Sequence, residues 1–146
     1  MDKNDPILFY ENTYYSFSNF SSFAINWKGY ICATTEHAYQ SEKFDDKKIK
    51  EEIINASSAL NAMLIAKENK DKYKKDWYEI KLKVMKEILQ EKIKQHPYIK
   101  EKLLQTNNRE IIENSPKDDF WGWGPNKNGA NHLGKLWMEI REEIKH

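Results

Sequence analysis

Phe23-Ala24-Ile25-Asn26-Trp27-Lys28-Gly29-Tyr30-Ile31-Cys32 runs, after Ala33 and Thr34, straight into Thr35-Glu36-His37-Ala38-Tyr39-Gln40-Ser41-Glu42-Lys43-Phe44. The two apolar segments flank Lys28-Gly29, a two-residue turn signal, and read as a β-hairpin. Thr34, Thr35 and Glu36 then supply an N-cap hydroxyl and a first-turn carboxylate, and no helix breaker follows. The spacing predicts a helix over about residues 35–45. Strand and helix signals side by side mark a mixed α+β chain.

Outward from this stretch, Ile7-Leu8-Phe9-Tyr10 reads as a strand that partners the hairpin. Between Lys47 and Asn69 two shorter helices are predicted, one carrying Ile49, Ile53 and Ile54, the other starting at Ser57 or Ser58 and carrying Leu60, Met63 and Leu64. Trp77, Ile80, Val84, Met85, Ile88, Leu89 and Ile93 fall at helical spacing and predict the longest amphipathic helix, about 76–95. Pro97 opens a further helix, and Leu133, Leu136, Trp137, Ile140 and Ile144 define a last one over about 131–145. The fold class expected is α+β, a mainly helical single domain with a small N-terminal β-sheet.

A chain of 146 residues and 17.5 kDa fits one domain, residues 1–146, and is large enough to bury about 70% of its unfolded surface. Five Trp, eight Tyr and six Phe argue against disorder. The formal charge of +1 provides no global field toward nucleic acid or an anionic bilayer, so any such contact is local. No apolar run approaches the length of a bilayer span and Met1-Asp2-Lys3-Asn4-Asp5 does not resemble a signal peptide, so a cytoplasmic protein without membrane contact is expected. A lone Cys32 cannot form an intramolecular disulfide, and His37, His96, His132 and His146 lack zinc spacing, so neither a metal nor a cofactor is expected.

Two constellations offer chemistry. On the helix after Thr35, Glu36, Gln40 and Lys43 are spaced by four and then three residues and line one stripe, with Tyr39 alongside. That stripe is either a solvated face or, if other segments roof it, a reactive one. The second is Phe120-Trp121-Gly122-Trp123-Gly124-Pro125-Asn126-Lys127-Asn128-Gly129-Ala130-Asn131-His132-Leu133-Gly134, which holds four of the five glycines. Its rings and glycines either approach a ligand or plug the core. Asn131 is placed to cap the last helix, whose first amides would suit a phosphate. Tyr14-Tyr15-Ser16-Phe17-Ser18-Asn19-Phe20 reads as edge packing or as a stacking platform with Asn19 as reader. Lys67 to Lys75 reads as a solvent-facing charge run, His37 as no metal partner of Glu36, and Cys32 as a small core residue.

Several fragments together resemble the NADAR family, also called YbiA-like or riboflavin-biosynthesis-type N-glycosidases. They are Ser18-Asn19-Phe20; Thr35-Glu36-His37-Ala38-Tyr39-Gln40 with Lys43-Phe44; Trp77 ahead of Lys81 and Met85; Trp121-Gly122-x-Gly124; and Gly129-x-Asn131-x-Leu133-Gly134 followed by Met138 and Arg141. They keep the family's order from Phe9 to Arg141. The sequence departs from common members at Trp123 and Pro125-Asn126-Lys127, where an acid-rich glycine stretch often follows Trp-Gly.

The resemblance implies an α+β hydrolase of N-glycosidic bonds to nitrogen heterocycles. It points to removal of ADP-ribose from guanine in a nucleotide or in DNA, antitoxin-like, with an ADP-ribosyltransferase toxin as functional partner. The alternatives are an N-glycosidase of ribosylamino-pyrimidine phosphates in riboflavin biosynthesis and a non-catalytic sensor of ADP-ribose or NAD. Lys43 is implied as an imine-forming nucleophile and Glu36 as proton shuttle. Asn19, Phe20, Tyr39, Gln40, Trp77, Trp121, Gly122, Gly124 and Asn131 are the expected substrate contacts. Lys43 must be neutral to react; an apolar roof lowers the pKa of a lysine and Glu36 raises it, so the two effects oppose.

Overall fold

The hairpin forms where the turn signal placed it: strands β2 (Ile25–Trp27) and β3 (Tyr30–Cys32) pair antiparallel, Ile25 opposite Cys32. Lys28 and Gly29 both take positive φ, 51° and 88°, the backbone that a two-residue hairpin turn needs. The computed structural model describes residues 4–10 and 12–145, so residues 1–3, Glu11 and His146 lie outside the described residues. The chain divides into two compact units, one running from Asn19 to Gln95, the other comprising the segments up to Ser18 and from His96 onward.

In the Asn19–Gln95 unit the hairpin is followed by helices α1 (Thr35–Ser41), α2 (Lys47–Ile54), α3 (Ala59–Glu68) and α4 (Trp77–Gln95). Each of the first three is opened by a side-chain cap: Thr34 accepts the amide of His37, Asp46 that of Ile49 and Ser58 that of Asn61. α1 is shorter than its sequence predicts. Its last turn tightens, the amide of Lys43 donating to the Gln40 carbonyl three residues back, and Lys43 stands just beyond the helix end. Every residue of α1 is buried. Phe44, Ile49, Ile53, Ala62 and Ala66 form an apolar cluster against which Tyr73 packs. α4 buries Trp77, Val84, Met85, Ile88, Leu89 and Ile93, the expected stripe, and with them Lys92.

In the other unit, strand β1 (Ile7–Phe9) does not join the hairpin, contrary to expectation. It pairs in parallel with β4 (Ile111–Glu113), a strand that periodicity did not reveal because three residues are too short to show one. Helices α5 (Pro97–Gln105) and α6 (His132–Ile144) complete this unit. Phe17 and Trp137 are both fully buried with ring centroids 5.3 Å apart, and the Trp137 indole donates to the Phe17 carbonyl. The class is therefore mixed α+β, mainly helical, with two small two-stranded sheets among the described residues.

Candidate active site

In the Asn19–Gln95 unit the Glu36 and Gln40 side chains are hydrogen-bonded to each other, and Glu36 lies within electrostatic reach of Lys43. Glu36 is 7% exposed and Gln40 is 4% exposed. The Gln40 amide donates to a Glu36 carboxylate oxygen at 2.5 Å, while its own buried Oε1 has no hydrogen-bond partner. Below them Asn19 holds the start of α1. Its carbonyl accepts the Glu36 amide, its Oδ1 accepts the Thr35 hydroxyl at 2.9 Å, and its Nδ2 reaches the Met85 sulfur at 3.2 Å. Asn19 thus fixes Glu36 through the backbone. Phe20, next to it, is 37% exposed.

Lys43 is half-buried among aromatic rings. Its ammonium nitrogen lies 5.3 Å from the centroid of Tyr39, 5.0 Å from Tyr73 and 6.0 Å from Trp77, and 3.4 Å from the Tyr73 hydroxyl. The Tyr39 and Trp77 rings are tilted against each other at 5.3 Å, and Trp77 is only 1% exposed, so it serves as the floor. Burial lowers the Lys43 amine from 10.5 to about 8; Glu36 opposes this, and the positive charges of Lys81 and Lys70 assist it. The competition between apolar surroundings and Glu36 is therefore decided in favour of the surroundings. A measurable fraction of the amine is neutral at physiological pH, whereas an ordinary lysine is almost fully charged.

Two of these parts escape a sequence reading. Tyr73 sits in the Lys67 to Lys75 run expected to face solvent, and only its being an aromatic in a charged segment signals it. Glu42, 2% exposed, receives the Trp27 indole at 2.8 Å and the ammonium groups of Lys28 and Lys74 at 3.1 and 3.4 Å. Burial alone would raise the Glu42 carboxyl, but these donors hold it below its usual value. It ties the hairpin to the helix end that carries Lys43. Cys32 is a core residue as expected, its thiol pushed up to about 11 by burial and by Glu42. His37 is buried between the Thr34 hydroxyl and the Ala56 carbonyl, and no cluster able to hold a metal occurs among the described residues.

The aromatic-glycine loop belongs to the other unit, and its motif serves that unit's packing. Asn131 does not cap α6 with its side chain. It adopts φ 52°, its Nδ2 donates to the Ile111 carbonyl and its Oδ1 accepts the Glu113 amide, both at 2.9 Å. The amides of Asn131, His132 and Leu133 donate to the carbonyls of Gly122, Phe120 and Trp121, so these amides at the helix start are already used. A Cβ on Gly122 would stand 2.7 Å from the Glu113 carbonyl, and one on Gly124, whose φ is 71°, would stand 2.7 Å from the Asp119 Cβ, so close packing of the loop requires glycine at both positions. Trp121 is half-buried with its ring edge-on to Phe120 at 4.8 Å. Gly124 also lines an open cavity of roughly 450 Å³ with Tyr10, Trp123 and Lys127.

A hairpin feeding a short buried helix that carries an acid–amide pair, with an aromatic-caged lysine just past the helix end, is the arrangement to compare with known proteins. The NADAR domain family model matches residues 8–145, and the chain belongs to that family. It is 40% identical over 95% of its length to an N-glycosidase of Nostoc punctiforme, covering 92% of that protein. It is 36% identical to the N-glycosidase YbiA of Escherichia coli K12, covering 90% of this chain and 82% of that one. A riboflavin biosynthesis protein of Vibrio vulnificus is 37% identical, but this chain spans only 39% of its length. The NMR structure of Escherichia coli YbiA superposes with a TM-score of 0.90 at 34% identity, covering 99% of this chain and 88% of that one. No helix among the described residues is long and apolar enough to cross a membrane.

Proposed function

We propose that the protein is an N-glycosyl hydrolase that removes ADP-ribose from guanine, in a nucleotide or in DNA, through the Lys43 amine. The observation that carries this reading is the caging of Lys43 by Tyr39, Tyr73 and Trp77, which lowers its amine to about 8, with Glu36 close enough to influence it. The relatives named N-glycosidases support the reaction class. The neutral amine bonds to C1 of the ribose while the bond from C1 to the base nitrogen breaks, and that nitrogen leaves with the electron pair and takes up a proton delivered through Glu36. Opening of the sugar ring gives an imine. Water then adds at C1, the bond to Nζ breaks, and free sugar leaves with Lys43 regenerated. The unpartnered Gln40 Oε1 supports a donor on the substrate as its complement.

This reading takes the chain as one functional domain in the cytoplasm, with an ADP-ribosyltransferase as the activity it reverses. The test is incubation with a guanine-ADP-ribosylated oligonucleotide and the matching nucleotide, without added metal or nicotinamide. Release of ADP-ribose, with a borohydride-trapped sugar on Lys43, supports it; binding without release indicates a sensor of ADP-ribose or NAD. Hydrolysis of a ribosylamino-pyrimidine phosphate instead supports the second reading, which the riboflavin-named relatives of Vibrio vulnificus and Zea mays favour.

A further inference from the structure

We propose that Tyr73 is the positioning residue that readies Lys43: its phenol oxygen takes one N–H of the amine while its ring keeps water off, a role that rests on Lys43 being the reacting group. The geometry is built rather than incidental. Tyr73 packs edge-on against Phe44, ring centroids 5.3 Å apart at 79°, on the apolar cluster of Ile49, Ile53, Ala62 and Ala66. The connector on which it rides is fastened beside it. The Lys74 amide donates to the Lys43 carbonyl at 2.7 Å, the Lys74 ammonium reaches Glu42 at 3.4 Å, and the Tyr73 amide donates to the Lys70 carbonyl. Residue 73 is thus held over residue 43 by main chain, ion pair and ring packing together.

The chemistry follows from counting donors. A neutral primary amine has two N–H bonds and one lone pair. When one N–H is given to the Tyr73 oxygen, 3.4 Å away, rotation about the last side-chain bond is restrained. The Tyr73 phenol is itself raised above its ordinary value by burial and by Tyr78, so it is an uncharged dipole at the pH where Lys43 loses its proton. It accepts the amine without the strong preference for ammonium that a carboxylate imposes. The charged groups acting on Lys43 are Glu36 from α1, Lys81 from α4 and Lys70 from the connector.

Two variants separate the ring from the hydroxyl. Acetic anhydride labelling of Lys43 across pH, read by mass spectrometry, gives its protonation midpoint without substrate, and steady-state turnover is measured in parallel. Tyr73→Phe keeps the ring, so the midpoint stays near or below the wild-type value of about 8 while kcat falls roughly 10- to 100-fold at unchanged KM. Tyr73→Ala opens the cage, so the midpoint climbs by at least one pH unit toward 10.5. Wild-type kcat in Tyr73→Phe overturns the role, as does a midpoint that stays near 8 in Tyr73→Ala; should the alanine variant not fold, the phenylalanine variant decides alone. If wild-type enzyme turns over with no borohydride adduct on Lys43, the reading of Lys43 falls and this role with it. If the adduct forms and Tyr73→Phe still turns over at the wild-type rate, only the role of Tyr73 falls.

Discussion

The Asn19–Gln95 unit holds two lysines whose amines are both driven toward neutrality, and their surroundings differ. Lys43, half-buried, stands at the end of a helix among three rings, with a carboxylate near enough to push against the shift. Lys92, fully buried on the inner face of α4, donates to the Ser21 hydroxyl at 3.0 Å and lies 5.6 Å from the Phe23 ring; burial lowers it to about 7. The more strongly perturbed amine is thus the less accessible one. A depressed lysine pKa by itself reports burial; reach to solvent distinguishes a reagent from a sealed core residue.

The contrast breaks if the two positions respond alike. Lys43→Arg retains the positive charge but cannot become neutral, so turnover is expected to fall by about a thousandfold or more, ~4 kcal/mol, with ligand affinity largely kept. Lys92→Met leaves turnover in place. Retained turnover in Lys43→Arg, measured beside Lys92→Met, erases the distinction.

Stability against pH sharpens it. Unfolded Lys92 keeps its proton up to about 10.5, whereas folded Lys92 gives it up near 7, so between these values the unfolded state binds more protons. The contribution is therefore fully present above about 10.5 and lost as pH falls through 7. Denaturant titrations should show the wild type gaining stability from pH 7 to 10, and Lys92→Met should lose about 2–4 kcal/mol of that gain. Activity follows the same sign at Lys43, rising with pH and levelling above about 8.

Removing the acid tests the proton partner. Glu36→Gln is expected to lower kcat roughly 30-fold, ~2 kcal/mol, and to move the acid limb of the rate profile below that of the wild type, because a charge that favours ammonium is gone. An upward move would mean that Glu36 does not act on Lys43. Ser21→Ala gives the smallest effect: it removes the hydroxyl that accepts from Lys92 and should cost about 1 kcal/mol in thermal melts with no change in turnover.

Much of this region is legible in the residues. Lys28-Gly29, the caps Thr34 and Ser58, and the apolar stripe of α4 each act within a few positions of themselves, and the elements they announce are present. The pairing of Glu36 with Gln40 is likewise written in their spacing, whereas Lys43 falls past the end of the helix. Lys92 was hidden among them: it follows Ile88 by four residues and so shares its buried face, but a lysine does not count toward an apolar pattern. Asn131 reads as a cap from its position before α6. Its left-handed backbone turns the side chain instead onto strand β4, whose three residues leave no period to read.

Turns, caps and helix faces are settled by interactions between neighbours along the chain, and for these the order of residues suffices. The pairing of Ile7 with Ile111, the placing of Tyr73 over Lys43 and the fall of the Lys43 amine to about 8 depend on which distant segments exclude water from a given atom. Solvation belongs to the packed arrangement rather than to any residue in it, so whether a lysine is a surface charge, a sealed core amine or a nucleophile is decided only when the chain has closed around it.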